Sequence, residues 1–480
     1  MKTLKKSLLL TLSIVFLFFF SCHNPDKPSC SDKPNIILFL VDDLGWRDTG
    51  FMGSKYYETP NIDKLAEGGM IFTNAYANAP NCAPSRACIM SGLYPPRHGV
   101  YTVGNSDRGK AADRNLVPVK NKTVLEGDFI TIAERLKHAG YATCHIGKWH
   151  LGDDSLTSPE AQGFDVNTGG NHAGHPKSYF SPYRNPNLKD GPPGEYLTDR
   201  LTDEALRFID QNKENPFFLY FSHYSVHTPL QGKKPLVEKY RDKAVVDEQD
   251  NATYAAMVAS TDESLGRLVE RLQDLGLDKN TLLIFFSDNG GHGGATSNLP
   301  LRGSKGMMYE GGIRVPMIAW WPGKIKAGAE CAEPIIGLDF YPTFMDVANI
   351  KVDDLNLDGK NILPLFFQEN QNLGRDALYW HFPAYLEGYK NIKHPENLVD
   401  GVWRATPSGA IRSGDWKLIE YFDDGRYQLF NLDTDIGEQI DLAKIHPEKV
   451  KELQNKLYEW RKQTNAKMPE NITHRQCKYN

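Results

Sequence analysis

Two short stretches end an apolar run in side chains that carry hard oxygens. NIILFLVDDLG stops at Asp42-Asp43, and TLLIFFSDNGGHGG stops at Asp288-Asn289. Adjacent buried carboxylates repel, and a cation between them relieves that repulsion most simply. Oxygen-only ligation points to Ca²⁺, with Mg²⁺ second, and away from zinc. A third stretch, NCAPSRACIMSGLYP over 81–95, leaves Cys82 three roles: a buried thiol, half of a disulfide, or a seat of chemistry. Pro84 suits the first turn of a helix and Gly92 its close, which puts Cys82 at a helix N-terminus, where free amides and the dipole favour an anion. Arg86 adds a forked donor matched to an oxyanion. The cysteines at 22, 30, 82, 88, 144, 331 and 477 form no Cys-x-x-Cys pair and are too scattered for a disulfide framework. Cys82 and Cys88, six apart, would not share a helix face.

Holding such residues together requires elements that end at one place. Ile36–Val41 is an unbroken apolar run, which predicts a strand buried on both faces. PFFLYFSHYSVHTP is apolar through Phe221 and turns polar toward His227; TLLIFFS is apolar through Phe286; YATCHIGKWHLG is a shorter strand leading to Lys148 and His150. Helical patterns separate them, in ITIAERLKHAG with Gly140 as its stop and in MVASTDESLGRLVERLQDLG. This alternation predicts an α/β sheet with its ligand beyond the carboxyl ends of the strands. Past about residue 365 shorter alternating runs, DWKLIEYF and RYQLFNL, precede an amphipathic helix in HPEKVKELQNKLYEWRKQTN. The expected division is a catalytic domain over 35–365 and a C-terminal α+β subdomain over 366–480, with no internal repeat.

Length and composition agree with two unequal domains: 480 residues, 40% apolar, 24% charged, rich in aromatics. A formal charge of −5 excludes the broad basic field of a nucleic-acid binder, so an anionic ligand must be met by a few local cations. Lys2, Lys5 and Lys6 before the apolar stretch Leu8–Phe20 read as a signal peptide over 1–21, followed by a polar linker over 22–34. Ser21-Cys22 resembles a bacterial lipoprotein cleavage site, with Cys22 lipidated; bulky Phe19 and Phe20 depart from that pattern, and the alternative is an ordinary signal with an incidental cysteine. The expected location is the periplasm or cell surface of a bacterium. The sequons at Asn121, Asn251 and Asn471 carry little meaning for such a protein.

Cys82-Ala83-Pro84-Ser85-Arg86, followed by Met90-Ser91-Gly92, resembles the signature of formylglycine-dependent sulfatases, and the chain is similar to bacterial carbohydrate sulfatases in that family. The resemblance runs over roughly 34–440 with its motifs in the family's order. It implies an alkaline-phosphatase-like fold: a mixed, mostly parallel sheet sandwiched by helices, plus a smaller C-terminal domain with an antiparallel sheet. It implies that a formylglycine-generating enzyme oxidises Cys82 to Cα-formylglycine, whose hydrate attacks sulfur. Asp42, Asp43, Asp288 and Asn289 match the family's metal residues, Lys148 and His150 its Lys-x-His motif, His227 in VHTP its later histidine, and Lys305 in RGSKGMMYEGGIRVP its sulfate-binding lysine. By the same resemblance, Arg86, Lys148 and Lys305 meet sulfate charge, His227 protonates the leaving alcohol, and His150 takes a proton from the remaining hydroxyl. His145, His223 and His292 read as structural neighbours.

The polar, Gly- and Pro-rich segment 169–186 has the texture of a functional loop. With YWHFPAYLEGYK and DGVWRATPSGAIRSGDWKL it nominates His175, Lys177, His381 and Arg404 for a sulfated-sugar pocket, the sugar being 4- or 6-sulfated galactose or N-acetylgalactosamine. Two other functions fit parts of the pattern: a phosphonate monoester or phosphodiester hydrolase of the same superfamily, and a catalytically dead glycan-binding surface lipoprotein.

Overall fold

The computed structural model describes residues 33–367, 372–389 and 391–472. The signal-peptide expectation for 1–21 and the lipidation expectation at Cys22 lie outside the described residues. The first apolar run forms strand β1, Asn35–Val41, buried along its whole length. Ile36, Leu38 and Leu40 enter one core while Ile37, Phe39 and Val41 enter another, so the run is apolar because both faces of the strand are covered.

Seven further strands complete the sheet: β2 Met70–Phe72, β3 Ala142–Gly147, β4 Val166–Thr168, β5 Phe217–Ser222, β6 Thr281–Ser287, β7 Met317–Trp320 and β8 Ala329–Cys331. Their order is β8-β2-β7-β6-β1-β5-β3-β4. The stretch from β6 to β4 is parallel, whereas β7 runs antiparallel to both its neighbours. Register aligns the strand ends: Val41 lies opposite Ser287, Leu40 opposite Ser222, and Ser222 opposite Gly147. The residues that follow these strands therefore emerge along one edge, the place where open α/β sheets bind ligands.

Helices α1 Pro60–Gly68, α4 Leu197–Asn212 and α5 Ala252–Asp274 cover one face. Helices α2 Cys82–Ser91, α3 Ile132–His138 and α6 Phe340–Val347 cover the other. Thr131 and Glu134 form a capping box at the start of α3. The α5 helix begins five residues before the predicted Met257, because Asn251 accepts from the Thr253 and Tyr254 amides and caps it there. Four antiparallel strands, β9 Leu378–Phe382, β10 Ser408–Ser413, β11 Trp416–Tyr421 and β12 Tyr427–Asn431, form a second sheet in that order. The predicted terminal helix is α7, Pro447–Gln463, which buries Leu453, Leu457 and Trp460 against this sheet. Each fully buried side chain of this kind contributes roughly 1.5–3 kcal/mol before entropy is counted.

Candidate active site

Helix α2 starts at Cys82 and is buried throughout. Its N-cap residue, Asn81, makes no side-chain cap bond; its amide donates to the Thr102 hydroxyl instead, at 3.0 Å. The first-turn amides thus keep no side-chain acceptor at the end where the dipole favours negative charge. Gly92 closes the helix in the left-handed conformation, φ 68°, as expected. Cys82 and Cys88 are both free thiols. The Cys82 Sγ lies 3.5 Å from His150 Nδ1.

The strand ends bring the remaining residues to this thiol. Lys148 Nζ donates to Asp42 Oδ2 at 2.6 Å, Arg86 Nε donates to Asp288 Oδ2 at 2.8 Å, and Lys305 Nζ pairs with Asp43 Oδ1 at 2.5 Å. Arg86 also donates through Nη1 to the Lys148 carbonyl at 2.8 Å and to the Ser222 hydroxyl. Asn289 Nδ2 donates to Asp43 Oδ1 at 2.9 Å. His227 Nε2 stands 3.7 Å from Asp43 Oδ2. Asp43 and His150 both adopt left-handed backbone, φ 64° and 66°, a conformation that costs energy in residues other than glycine and clusters at functional sites.

Charges in this cluster balance: three carboxylates face Arg86, Lys148 and Lys305. Burial raises the Asp42 carboxyl well above its usual range, against Lys148. Burial would also raise Asp43, but Lys305, with Lys148 farther off, outweighs it and holds that carboxyl low. Burial, then Lys148 and Arg86, depresses His150, so its imidazole is neutral and able to accept a proton. Burial would depress Arg86 too; Asp288 more than offsets this.

The donor set fits a hard divalent cation. Among the described residues, Asp42 Oδ1, Asp43 Oδ2 and Asn289 Oδ1 are buried without hydrogen-bond partners, and orphaned buried oxygens of this kind are rare without a ligand. Asp42, Asp43 and His227 offer ligand atoms within 4.8 Å of one another, as do Asp42, Cys82 and Asp288. A divalent ion added to the balanced cluster would leave net positive charge for an incoming anion.

Above Cys82 lies a pocket of about 210 Å³. Cys82, His150, His227 and Lys305 line this pocket together with His175 and Arg404, and the His175 and His227 rings lie parallel with centroids 6.2 Å apart. Two nominated sugar ligands are not in this pocket. Lys177 is exposed and lies off its wall. His381 is buried on β9 between Tyr101 and Phe422, with its Nε2 2.8 Å from the Lys467 carbonyl oxygen, because these segments cover that position of the strand and keep it out of the pocket. His145 and His223 are buried structural residues, depressed by burial to about 4 and about 3. His292 corrects the structural reading made for it: it lines the pocket and stacks on Tyr389 at 4.1 Å. Arg108 and Tyr389 also line the pocket and are not singled out by sequence. Arg108 lies in no recognisable motif; Tyr389 sits in the aromatic-rich segment already marked as sugar-facing.

Comparison with known proteins gives the family. The Sulfatase family model matches residues 34–350, and the model for the C-terminal part of N-sulphoglucosamine sulphohydrolase matches 304–466. A sulfatase of Formosa agariphila is 33% identical, over 94% of this chain and 92% of its own. Human N-acetylgalactosamine-6-sulfatase is 34% identical, over 77% of this chain and 75% of its own. The crystal structure of Ps i-CgsB in complex with k-i-k-neocarrahexaose superposes with a TM-score of 0.74 at 34% identity, covering 89% of this chain and 92% of that one. The chain belongs to the sulfatase family, with the mixed sheet and antiparallel C-terminal domain of its alkaline-phosphatase-like fold, and is similar to carbohydrate sulfatases. It is a sulfuric ester hydrolase.

Proposed function

We propose that this enzyme removes sulfate from a sulfated saccharide, using Cys82 matured to Cα-formylglycine and Ca²⁺ held by Asp42, Asp43, Asp288 and Asn289. The observation that carries this reading is Cys82 at an uncapped helix start, 3.5 Å from a neutral His150 and beside three orphaned ligand oxygens. Formylglycine hydrate would supply the attacking oxygen, and the divalent ion would supply positive charge to the sulfate oxygens. Arg86, Lys148 and Lys305 bind the ester's anionic oxygens and hold them at the helix N-terminus. His150 Nδ1 takes a proton at position 82, which releases sulfate and restores the aldehyde. His227 Nε2 gives a proton to the leaving sugar oxygen.

A 6-sulfated N-acetylgalactosamine is the preferred substrate, with 4-sulfation or galactose as the neighbouring choices. The name of the N-acetylgalactosamine-6-sulfatase relatives supports the first of these. A maturation enzyme that makes formylglycine is the required partner. The basic segment and the apolar run before Ser21-Cys22 support export to the periplasm or cell surface, with Cys22 as the lipid attachment point; loss of lipid labelling in Cys22→Ala tests that part.

The test combines mass spectrometry of the peptide containing position 82 with turnover of defined sulfated mono- and disaccharides. Active protein should carry CHO in place of CH₂SH, and activity should scale with the modified fraction. Cys82→Ala should fold and bind Ca²⁺ but release no sulfate. Full activity with unmodified Cys82, or faster turnover of the matching phosphate esters, would overturn the reading.

A further inference from the structure

Each cation on the floor of the pocket has its own carboxylate: Arg86 has Asp288, Lys148 has Asp42, and Lys305 has Asp43. Two more guanidinium groups line the same pocket without one. Arg404 lies with its guanidinium carbon 4.2 Å from the Tyr389 ring centroid, donates through Nε to the Glu387 carbonyl at 2.7 Å, and through Nη1 to the Lys305 carbonyl at 3.3 Å. These contacts fix its plane and use backbone acceptors only. Tyr389 is itself held by its stack on His292 and by the Gly293 amide, which donates to its hydroxyl at 2.9 Å. Arg108 donates to the Val103 carbonyl. Among the described residues neither arginine has an acid within ion-pair distance. They stand near enough for Arg108 to disfavour the charge on Arg404, which burial already disfavours.

A half-buried pair of like charges, one of them fixed on an aromatic ring, is costly unless something anionic arrives. The segment around Arg108 is tied to the C-terminal domain, where the Tyr385 amide donates to the Ser106 carbonyl at 2.9 Å, so the pair is preorganised across two chain segments. Carboxylate and sulfate both match a guanidinium fork. We infer that Arg108 and Arg404 bind a second anionic group of the saccharide, a sulfate or a uronate carboxylate apart from the sulfate ester held over Cys82. The substrate class is then a saccharide with at least two anionic groups. This rests on the sulfated-saccharide reading above and narrows it.

The experiment measures binding rather than turnover, on the full chain in its unmatured Cys82 form with Ca²⁺. Three disaccharides are compared by calorimetry: one singly sulfated and otherwise neutral, the same with a second sulfate, and the same with a carboxylate. Either second anion should tighten binding by about tenfold or more, and added salt should erode that preference. In Arg108→Gln and Arg404→Gln the ratio of affinities for doubly and singly anionic ligands should fall toward one. Arg404→Lys should retain part of it, because charge remains without the fork. Equal, salt-insensitive binding of all three ligands by the wild type would overturn the inference, and so would variants that weaken all three in the same proportion. If the matured enzyme released no sulfate from any of them, the sulfatase substrate reading would fail instead, while the affinity ratios would still decide the role of the arginines.

Discussion

Under the proposed mechanism, His227 is the residue whose protonation state decides the fate of the leaving group. Its Nδ1 lies 2.7 Å from the Thr228 carbonyl oxygen, which places the ring proton there and leaves Nε2 toward the site. Burial, then Lys305, holds the imidazole well below its ordinary range, which favours the neutral ring. In the proposed mechanism a bound sulfate ester brings negative charge that favours protonation, which would couple substrate arrival to acid catalysis. Loss of this proton in His227→Ala should slow sugar sulfates by about 10²–10⁴-fold. An aryl sulfate, whose phenolate departs unaided, should lose far less; equal losses would assign His227 to sulfate binding. Asp288 makes a second case at this scale, since its oxygens accept from Arg86 and the Asp43 amide. Asp288→Ala leaves Arg86 buried without its partner, a cost of roughly 3–5 kcal/mol. Thermal unfolding with and without Ca²⁺ should show both a lower melting temperature and no stabilisation by the ion. A variant that Ca²⁺ still stabilises as fully as the wild type would remove Asp288 from the metal site.

Elements bring these residues together through strand register, and one glycine carries much of the precision. Gly147 ends β3 at φ 100°, and a Cβ there would lie 1.9 Å from the Ser222 carbonyl oxygen. That same carbonyl accepts from the Lys148 amide at 2.7 Å, so the close approach sets where Lys148 begins. Gly147→Ala should therefore lower stability by roughly 1–3 kcal/mol through strained backbone and separate β3 from β5 at the site edge. Sulfate release should fall more than the folded fraction does when both are measured on one preparation; an alanine variant with unchanged melting temperature and rate would contradict this. The strand ends are legible in sequence because an apolar run that stops at Asp42 or Asp288, or leads on to Lys148 or His227, marks both a buried strand and the end from which candidate site residues emerge. Cys82 is legible because helix punctuation surrounds it. The pocket wall is less so: Arg108, His292 and Tyr389 meet only after two domains dock, and nothing local at Arg108 announces it. His381 fails for the complementary reason, since composition marks a histidine in an aromatic stretch but not which face of β9 it takes.

At the scale of the whole molecule, the C-terminal sheet must stay seated, because Arg404 and Tyr389 reach the pocket from its side. A buried ion cluster sits at that junction: Lys417 on β11 pairs at 2.8 Å with Glu310 and at 2.8 Å with Glu438. Tyr76 donates to Glu310 at 2.6 Å, and Arg314 pairs with it at 3.3 Å. Two carboxylates thus share one lysine, and Glu310 receives the extra help. Burial, with Glu310 adding to it against the pull of Lys417, pushes Glu438 from 4.5 up to about 7. The folded state then binds a proton that the unfolded chain has released across this window. That contribution to stability is present below pH 4.5 and is lost as pH rises through about 7. Lys417→Met removes the shared cation, leaves both acids buried, and should cost roughly 3–5 kcal/mol at neutral pH. Because Glu438 then has no cation and needs a proton to remain buried, while Glu310 keeps Arg314, the variant's melting temperature should fall more steeply than the wild type's between about pH 5 and pH 8. Loosening of the C-terminal sheet should also raise KM before it lowers kcat, since the pocket wall is disturbed and the floor is not. A Lys417→Met enzyme with the wild-type pH profile of melting, or one whose kcat alone fell, would show that this cluster does not hold the two domains in register.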